Sequence, residues 1–371
     1  KSVLVIDEAQ DMTEDEFNLI TALIDKNETL KVIAVGDDDQ NIYSFRKSDS
    51  KYMQYLISKY QARFYELYEN FRSKSNLVTF ANSFVNQIPH RMKHNPIVSH
   101  QPENGSLRIT YYPSNNLIIP LIKDVVESPL AGTTGVLTKT NEEAVFISCL
   151  LQEQGIATKL VQTNSSNFYL GDLNEIRYFT QVLNLTKDTH IIDNERWEVA
   201  KRKLKYEFGN TSSWEICRSI ILTFEQIYSR KYLSDWKTYL FESNLEDFYS
   251  AQGETVIVST IHKAKGKEFD NVFLLLNNGN SLSDEKKREI YVAITRAKQN
   301  ISIHLNGHYF NNIVNGLTEI RTDNNQYPIP QRLCYLLTHK DLNLDTFISS
   351  YCQAAIYNLK SGMPLQLKAN G

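Results

Sequence analysis

The sequence is poor in the residues that build stapled, fibrous or membrane-bound proteins. Its 371 residues hold four cysteines, Cys149, Cys217, Cys334 and Cys352, far apart and in no CxxC pair. That suits reduced, buried thiols in a cytoplasmic protein better than a disulfide frame or a zinc site. Glycine (14) and proline (9) are too few for a collagenous or low-complexity chain. Neither sign of charge dominates: 40 Lys and Arg stand against 43 Asp and Glu, a net charge of −3 that excludes a histone-like polycation. Apolar runs such as Val272 to Leu276 are strand-sized. They fall far short of the roughly eighteen residues that span a bilayer, so no membrane partner is expected.

What is present is ordinary folding material, 42% hydrophobic and 22% charged. The chain is longer than the roughly 250 to 300 residues at which one core stops growing, so two domains or more are expected. It opens on Lys1, enters an apolar run at Val3 and ends on MPLQLKANG, a strand just begun. Both ends read as cuts through a longer protein.

Short β-rich runs bounded by polar or turn residues recur at Val3 to Ile6, Lys31 to Val35, Phe64 to Leu67, Leu107 to Tyr111, Gly135 to Leu137, Thr158 to Val161, Val256 to Thr260, Val272 to Leu276 and Ile301 to Leu305. Helical periodicity separates most of them, at Thr13 to Asp25, Ser73 to Asn86, Asn141 to Gln154 and Asp284 to Ala297. This alternation predicts an α/β fold, parallel sheets flanked by helices. Between about Asp172 and Tyr249 the strands vanish and Arg196 to Phe208, Ser213 to Tyr228 and Ser234 to Tyr249 read as helices. The expected layout is a first unit over 1–75, a second over 76–171 and 250–310, a helical insertion over 172–249 and a tail over 311–371.

VLVIDEAQD places Asp7 and Glu8 directly after an apolar strand, where ligands gather at the carboxyl end of a parallel sheet. In a nucleotide hydrolase the first could hold Mg²⁺ and the second could act on the attacking water. Taken alone, the simpler reading is a strand running out into solvated acids. KVIAVGDDDQNIYSFR repeats the pattern and adds Gln40, an amide able to report on a terminal phosphate. Tyr43, Phe45 and Arg46 then put aromatic and cationic groups together, as a base-stacking cluster or, for Tyr43, as part of a core pair.

With ENFRS (69–73), TVIVSTIHKAKGKEFD (255–270) and REIYVAITRAK (288–298), these segments form five ordered motifs. The set resembles the UvrD/Rep-type superfamily 1 DNA helicases. The resemblance implies two RecA-like domains with ATP and Mg²⁺ between them, and translocation along single-stranded DNA, usually 3′ to 5′, with single/double-strand junctions as substrates. It further implies Asp7 as the Mg²⁺ ligand, Glu8 acting on the attacking water, Gln40 as γ-phosphate sensor, and Arg72 and Arg296 as arginine fingers. Phe71 falls where the family stacks a Tyr on adenine, Gly266 lies in the fifth motif, and Glu268 matches its ribose-binding acid. Phe45, Lys139, Asn141, Ser259, Thr260 and His262 match residues along the DNA.

Three departures stand out. Phe45, Arg46 and Lys47 replace the usual Trp followed by Arg-Gly, and Lys267 replaces a Leu. No GxxxxGK[ST] phosphate loop occurs, so the chain carries half an ATP site and its expected partner is an upstream part of the same protein bearing that Walker A loop. By itself the fragment is expected to be inactive. Other readings are a catalytically silent scaffold that binds DNA or a protein, and a helicase subunit of a helicase-nuclease complex. Five cations lie between Arg196 and Tyr206, which could touch duplex DNA or form a solvated helix face. The tail from Gln331 weakly resembles the region after the core in proteins joining UvrD-like and RecQ-like parts.

Overall fold

A computed structural model describes residues 2–129, 131–161, 169–184, 190–210, 214–243, 248, 256–279, 282–310, 313 and 316–329. The tail beyond 330 lies outside them.

The first segment alternates strand and helix: β1 (Val3–Ile6), α1 (Glu14–Asp25), β2 (Lys31–Ala34) and α2 (Lys51–Tyr60). β1 and β2 pair in parallel, Val3 opposite Lys31. α1 starts where expected because Thr13 accepts from the Glu16 N–H while Glu16 reaches back to the Thr13 N–H, a capping box. A small core of Ala9, Met12, Tyr52 and Leu56 joins α1 and α2 to the turn after β1.

Next come β3 (Glu69–Lys74), α3 (Ser75–Val85), β4 (Val98–Gln101), β5 (Ser106–Tyr111), α4 (Ile118–Glu127), β6 (Thr134–Thr138), α5 (Asn141–Glu153) and β7 (Thr158–Leu160). The strand expected at Phe64 to Leu67 is absent: those residues are irregular, and the strand begins at Glu69. Its sequence, ENFRSK, hides it from propensity. Asn70 Oδ1 accepts from both Arg72 and Ser73 N–H groups, so the strand is bulged and pairs with β4 only in part. Pro120 conceals α4 similarly, yet it sits in the first turn, where its missing N–H costs nothing.

Four helices follow, α6 (Asn174–Val182), α7 (Asn194–Phe208), α8 (Trp214–Ile227) and α9 (Leu233–Glu242). Ser213 and Tyr249, expected helix ends, lie outside the described residues. These helices close on their own aromatic core of Trp197, Trp236, Phe179 and Phe224. The chain then completes the large sheet through β8 (Val256–Thr260), α10 (Ile261–Ala264), β9 (Phe269–Gly279), α11 (Asp284–Ile294), β10 (Ala297–Gly307) and β11 (Glu319–Thr322).

That sheet has seven strands in the order β11-β5-β10-β9-β6-β8-β7, every pairing parallel. Parallel sheets need cover on both faces, which the alternation in β9 records. Val272, Leu274 and Leu276 pack with α3 and α11, while Phe273 and Leu275 pack with α4 and α5. The helical insertion therefore enters between β7 and β8, strands that are neighbours in space. Among the described residues no helix is long and apolar enough to cross a membrane.

Candidate functional site

The carboxyl ends of β1 and β2 face the α11–β10 turn of the large sheet, and a path of hydrogen bonds joins them. Glu8 stands at the start of it. It adopts the left-handed conformation (φ 50°, ψ 40°), which turns the chain sharply after β1 and leaves its carboxylate exposed. Gln10 Nε2 donates to Glu8 Oε2 at 2.5 Å, and Gln10 Oε1 accepts the Asp37 N–H at 2.9 Å. Gln10 is fully buried, and a Cβ at Gly36 would lie 2.6 Å from its Oε1, so glycine there makes room for the contact.

From Asp37 the path continues to Gln40, whose Nε2 donates to Asp37 Oδ2 at 2.8 Å. Gln40 Oε1 accepts from Arg296 Nη2 at 3.0 Å, across 256 residues of sequence. Arg296 is buried; its Nε and Nη1 donate to the carbonyls of Val292 and Lys267, and Nη2 donates to Thr295 Oγ1 as well as to Gln40. Burial, with the nearby Arg72 guanidinium, lowers its pKa to about 10, so it stays charged at neutral pH. Arg72 donates through Nη1 to the Thr295 carbonyl at 3.3 Å and through Nε to Glu268 Oε2 at 2.6 Å. Lys298 lies 3.7 Å from the same carboxylate.

Glu8, Gln40, Arg72, Arg296 and Glu268 are thus brought together along one seam. Asp7 stands beside them, exposed, with Oδ1 accepting the Glu8 N–H at 2.9 Å. Phe71 is exposed and lies against His100, centroids 4.5 Å apart and rings tilted by 36°. Gly266 takes φ 79°, with nothing within 4 Å of where a Cβ would sit. Asp37, Asp38 and Asp39 lie close enough to hold a cation, but the protein uses them itself: Lys93 reaches Asp37 at 2.5 Å, Arg91 grips Asp39 at 2.8 Å, and Asp38 accepts the Met92 N–H.

A second surface gathers around α10. Phe45, 68% exposed, lies edge-on to His262, centroids 5.8 Å apart, and Tyr43 Oη donates to the His262 carbonyl at 3.3 Å. Tyr43 packs against the core, as its simpler reading held, and Phe45 does not. His262 Nε2 is 3.6 Å from Glu289. Burial raises the Glu289 pKa, and the charges of His262 and Lys139 oppose that rise. Asn141 Oδ1 accepts from Lys263 at 2.6 Å. Ser259 and Thr260 do not join this surface. Both are buried, and the Ser259 hydroxyl donates to the Thr260 carbonyl; β8 lies between β6 and β7, one strand in from the edge of the sheet.

Sequence reasoning left Gln10 and Lys265 without roles. Gln10 stood in the quoted DEAQD run, but only the fold reveals that its amide bridges two strands. Lys265 is nearly buried beside Asp11 and Glu8.

Residues 65–240 and 237–307 match the UvrD-like helicase C-terminal domain family, and residues 1–61 match the UvrD/REP helicase N-terminal domain family. Among curated proteins the chain is similar to the Gabija protein GajB of Bacillus cereus, 20% identical over 85% of this chain and 65% of that protein. It is similar to DNA helicase II of Haemophilus influenzae, 33% identical over 22% of this chain and 11% of that one. It also resembles the mitochondrial ATP-dependent DNA helicase HMI1 of Saccharomyces cerevisiae, 24% identical over 66% of this chain and 36% of that one. The chain spans less than two thirds of the length of each of these relatives.

Proposed function

The chain belongs to the UvrD-like helicase family, and from that premise we propose that it forms part of an ATP-driven motor moving along single-stranded DNA, in the 3′ to 5′ direction usual for the family. The observation that carries this reading is the seam from Glu8 through Gln10, Asp37, Gln40 and Arg296 to Arg72 and Glu268. Two arginines with no buried carboxylate of their own converge there on a polar cleft edge. Guanidinium groups suit developing phosphoryl charge because they stay ionised and present a planar fork.

In this reading the terminal phosphate of ATP meets Arg296 and Arg72 from one side of the cleft and Gln40 from the other. The Arg72–Glu268 ion pair opens as nucleotide enters, freeing the guanidinium for phosphate and the carboxylate for ribose. Phe71 offers its open face to adenine. Asp7, an exposed hard oxygen donor at the end of β1, fits Mg²⁺, which supplies positive charge to the phosphates when bound. Glu8 orients and deprotonates the attacking water. Because Gln40 touches Arg296 directly, loss of the terminal phosphate alters a contact that holds the two sheets together, the means by which hydrolysis reopens the cleft. The strand lies over Phe45 and His262, with Lys139 and Asn141 beside it.

The phosphate loop is supplied by sequence outside these 371 residues. Val5 and Ile33 are exposed although apolar, and this uncovered surface on β1 and β2 supports a further layer of the same protein packing there. The test is DNA-stimulated ATP hydrolysis by the natural polypeptide including the sequence that precedes Lys1. Arg296→Ala is expected to lower kcat about a thousandfold with DNA affinity nearly unchanged. Lost DNA affinity with turnover intact would move the arginine from the ATP cleft to the DNA groove.

A further inference from the structure

Lys265 connects the two surfaces. It follows α10 directly, its N–H bonded to the His262 carbonyl at 3.3 Å, so its backbone moves with the helix that carries His262. Its side chain, 7% exposed, runs the other way. The ammonium sits 4.9 Å from the Tyr43 ring centroid, bonds to Asp11 Oδ2 and lies 3.7 Å from Glu8 Oε2. Tyr43 in turn contacts both Phe45 and the His262 carbonyl.

The seating is well defined on one side and incomplete on the other. Lys265 is enclosed by an aromatic face and two carboxylates, a strong site for an ammonium away from water. Asp11 Oδ1, by contrast, is buried with no hydrogen-bond partner, and burial raises the Asp11 pKa against the pull of Lys265. A buried oxygen without a donor costs free energy, so Asp11 holds Lys265 less firmly than a fully paired carboxylate would. Glu8 Oε2 already accepts from Gln10 and has the Lys265 ammonium 3.7 Å away, so that one oxygen is held between two groups while the carboxylate as a whole stays exposed.

We infer that Lys265 is a positioning residue that restrains Glu8 while no strand is bound, and that nucleic acid on Phe45 and His262 shifts α10 and draws the ammonium away from the carboxylate. The inference rests on the reading of Glu8 as the group that acts on the attacking water. It adds a physical route by which occupancy of the aromatic surface reaches the carboxylate: ring contact to His262, the α10 backbone, then the Lys265 side chain. No proton or covalent bond changes hands at Lys265; its role is to occupy or vacate one oxygen. Coupling between two sites of a protein is typically 5- to 150-fold, which sets the scale of the effect.

The test uses the natural polypeptide with its preceding sequence, and the readout is the ratio of kcat with saturating oligothymidylate to kcat without DNA. Lys265→Met keeps the apolar stem and removes the charge; Lys265→Gln is the second variant should the first fold poorly. Both are expected to raise the DNA-free rate and to lower the ratio roughly fivefold or more, while Lys265→Arg keeps the ratio near wild type. A purely structural lysine predicts something else, equal loss of both rates with the ratio preserved, and that result would overturn the inference while leaving the helicase reading intact. Wild-type protein without any DNA-stimulated hydrolysis would overturn both.

Discussion

Two parallel sheets of this chain are built from similar sequence and meet different fates. β6, TGVLT, is buried along its whole length, with β8 and β9 at its sides and helices over both faces. β1, VLVI, is at least as apolar, yet Val5 is 62% exposed and Ile33 in the neighbouring β2 is 53% exposed. Strand formation is written into the apolar run, whereas burial belongs to whatever packs against it. The half carrying Asp7 and Glu8 rests on a small core, and the half carrying Arg296 rests on a large one.

The sharpest way to break this comparison is to delete equivalent apolar atoms in each sheet. Leu274, fully buried in β9, is expected to cost about 3 kcal/mol on Leu274→Ala substitution. Val5→Ala in the same 371-residue chain should fall within about 0.5 kcal/mol of wild type, as exposed positions do. Denaturant midpoints with unchanged slopes measure both. Equal costs would mean that β1 is already covered.

A second difference is electrostatic. The large sheet buries a polar network in which His304 Nε2 and Ser302 Oγ meet Asp124 Oδ2 at 2.9 and 2.7 Å, Arg108 Nη2 reaches the same carboxylate at 2.6 Å, and Tyr112 Oη bonds His304 Nδ1 at 2.8 Å. Burial alone would raise the Asp124 pKa, but His304, Ser302 and Arg108 outweigh it and hold the carboxyl at about 2, below its ordinary 3.8. Burial lowers His304, which is therefore neutral near pH 7. Both groups bind protons less readily folded than unfolded, so both contribute stability that is full above their unfolded pKa and lost as pH falls. His304 acts first, below about 6.5, and Asp124 follows between about 4 and 2, its share being about 2 kcal/mol. Stability measured from pH 7 to 3 should fall accordingly, and Asp124→Asn should flatten the acid limb. An unchanged limb in that variant would remove Asp124 from the account.

How much of this was legible in the sequence follows the same division. The buried strands announced themselves, because a parallel strand covered on both faces reads as an apolar run, and β8, β9 and β10 were placed within a few residues. β3 was missed because ENFRSK satisfies no strand pattern; Asn70 shapes it by accepting from the Arg72 and Ser73 N–H groups. Arg296 and Gln40 could be chosen from motif context. That they touch could not, since 256 residues separate them. Gln10 and Lys265 were unreadable for a related reason: an amide or an ammonium acquires meaning only from the partners the fold delivers. Ser259 differs in the other direction, a polar residue whose motif suggested contact and whose side chain is buried in β8.

Phe45 extends the comparison to a single aromatic. Its exposure means that Phe45→Ala should change stability within about 0.5 kcal/mol, unlike the 3 to 5 kcal/mol of a core phenylalanine. If single-stranded DNA stacks on it, the same variant loses about 1 to 3 kcal/mol of DNA affinity, evenly across base compositions and with the salt dependence of wild type. Unchanged affinity in a stable variant would end the stacking role.

The smallest expected effect lies two residues further on, at Lys47, where the resemblance to UvrD/Rep-type helicases leads one to expect glycine. Its backbone sits in the left-handed region, φ 64° and ψ 22°, so the turn keeps the geometry of a glycine without having one. An L-residue there costs roughly 1 to 2 kcal/mol, partly offset in a glycine variant by the greater freedom of the unfolded chain. Lys47→Gly should therefore stabilise the protein by about 0.5 to 1 kcal/mol. Lys47→Ala separates backbone from side chain, because alanine retains the strain while losing the exposed ammonium, and its stability should stay near that of wild type. Any loss of DNA affinity caused by the missing charge should be the same in both variants. A glycine variant no more stable than the alanine one would mean that the turn around Phe45 is held by its surroundings and relaxes when the constraint at position 47 is removed.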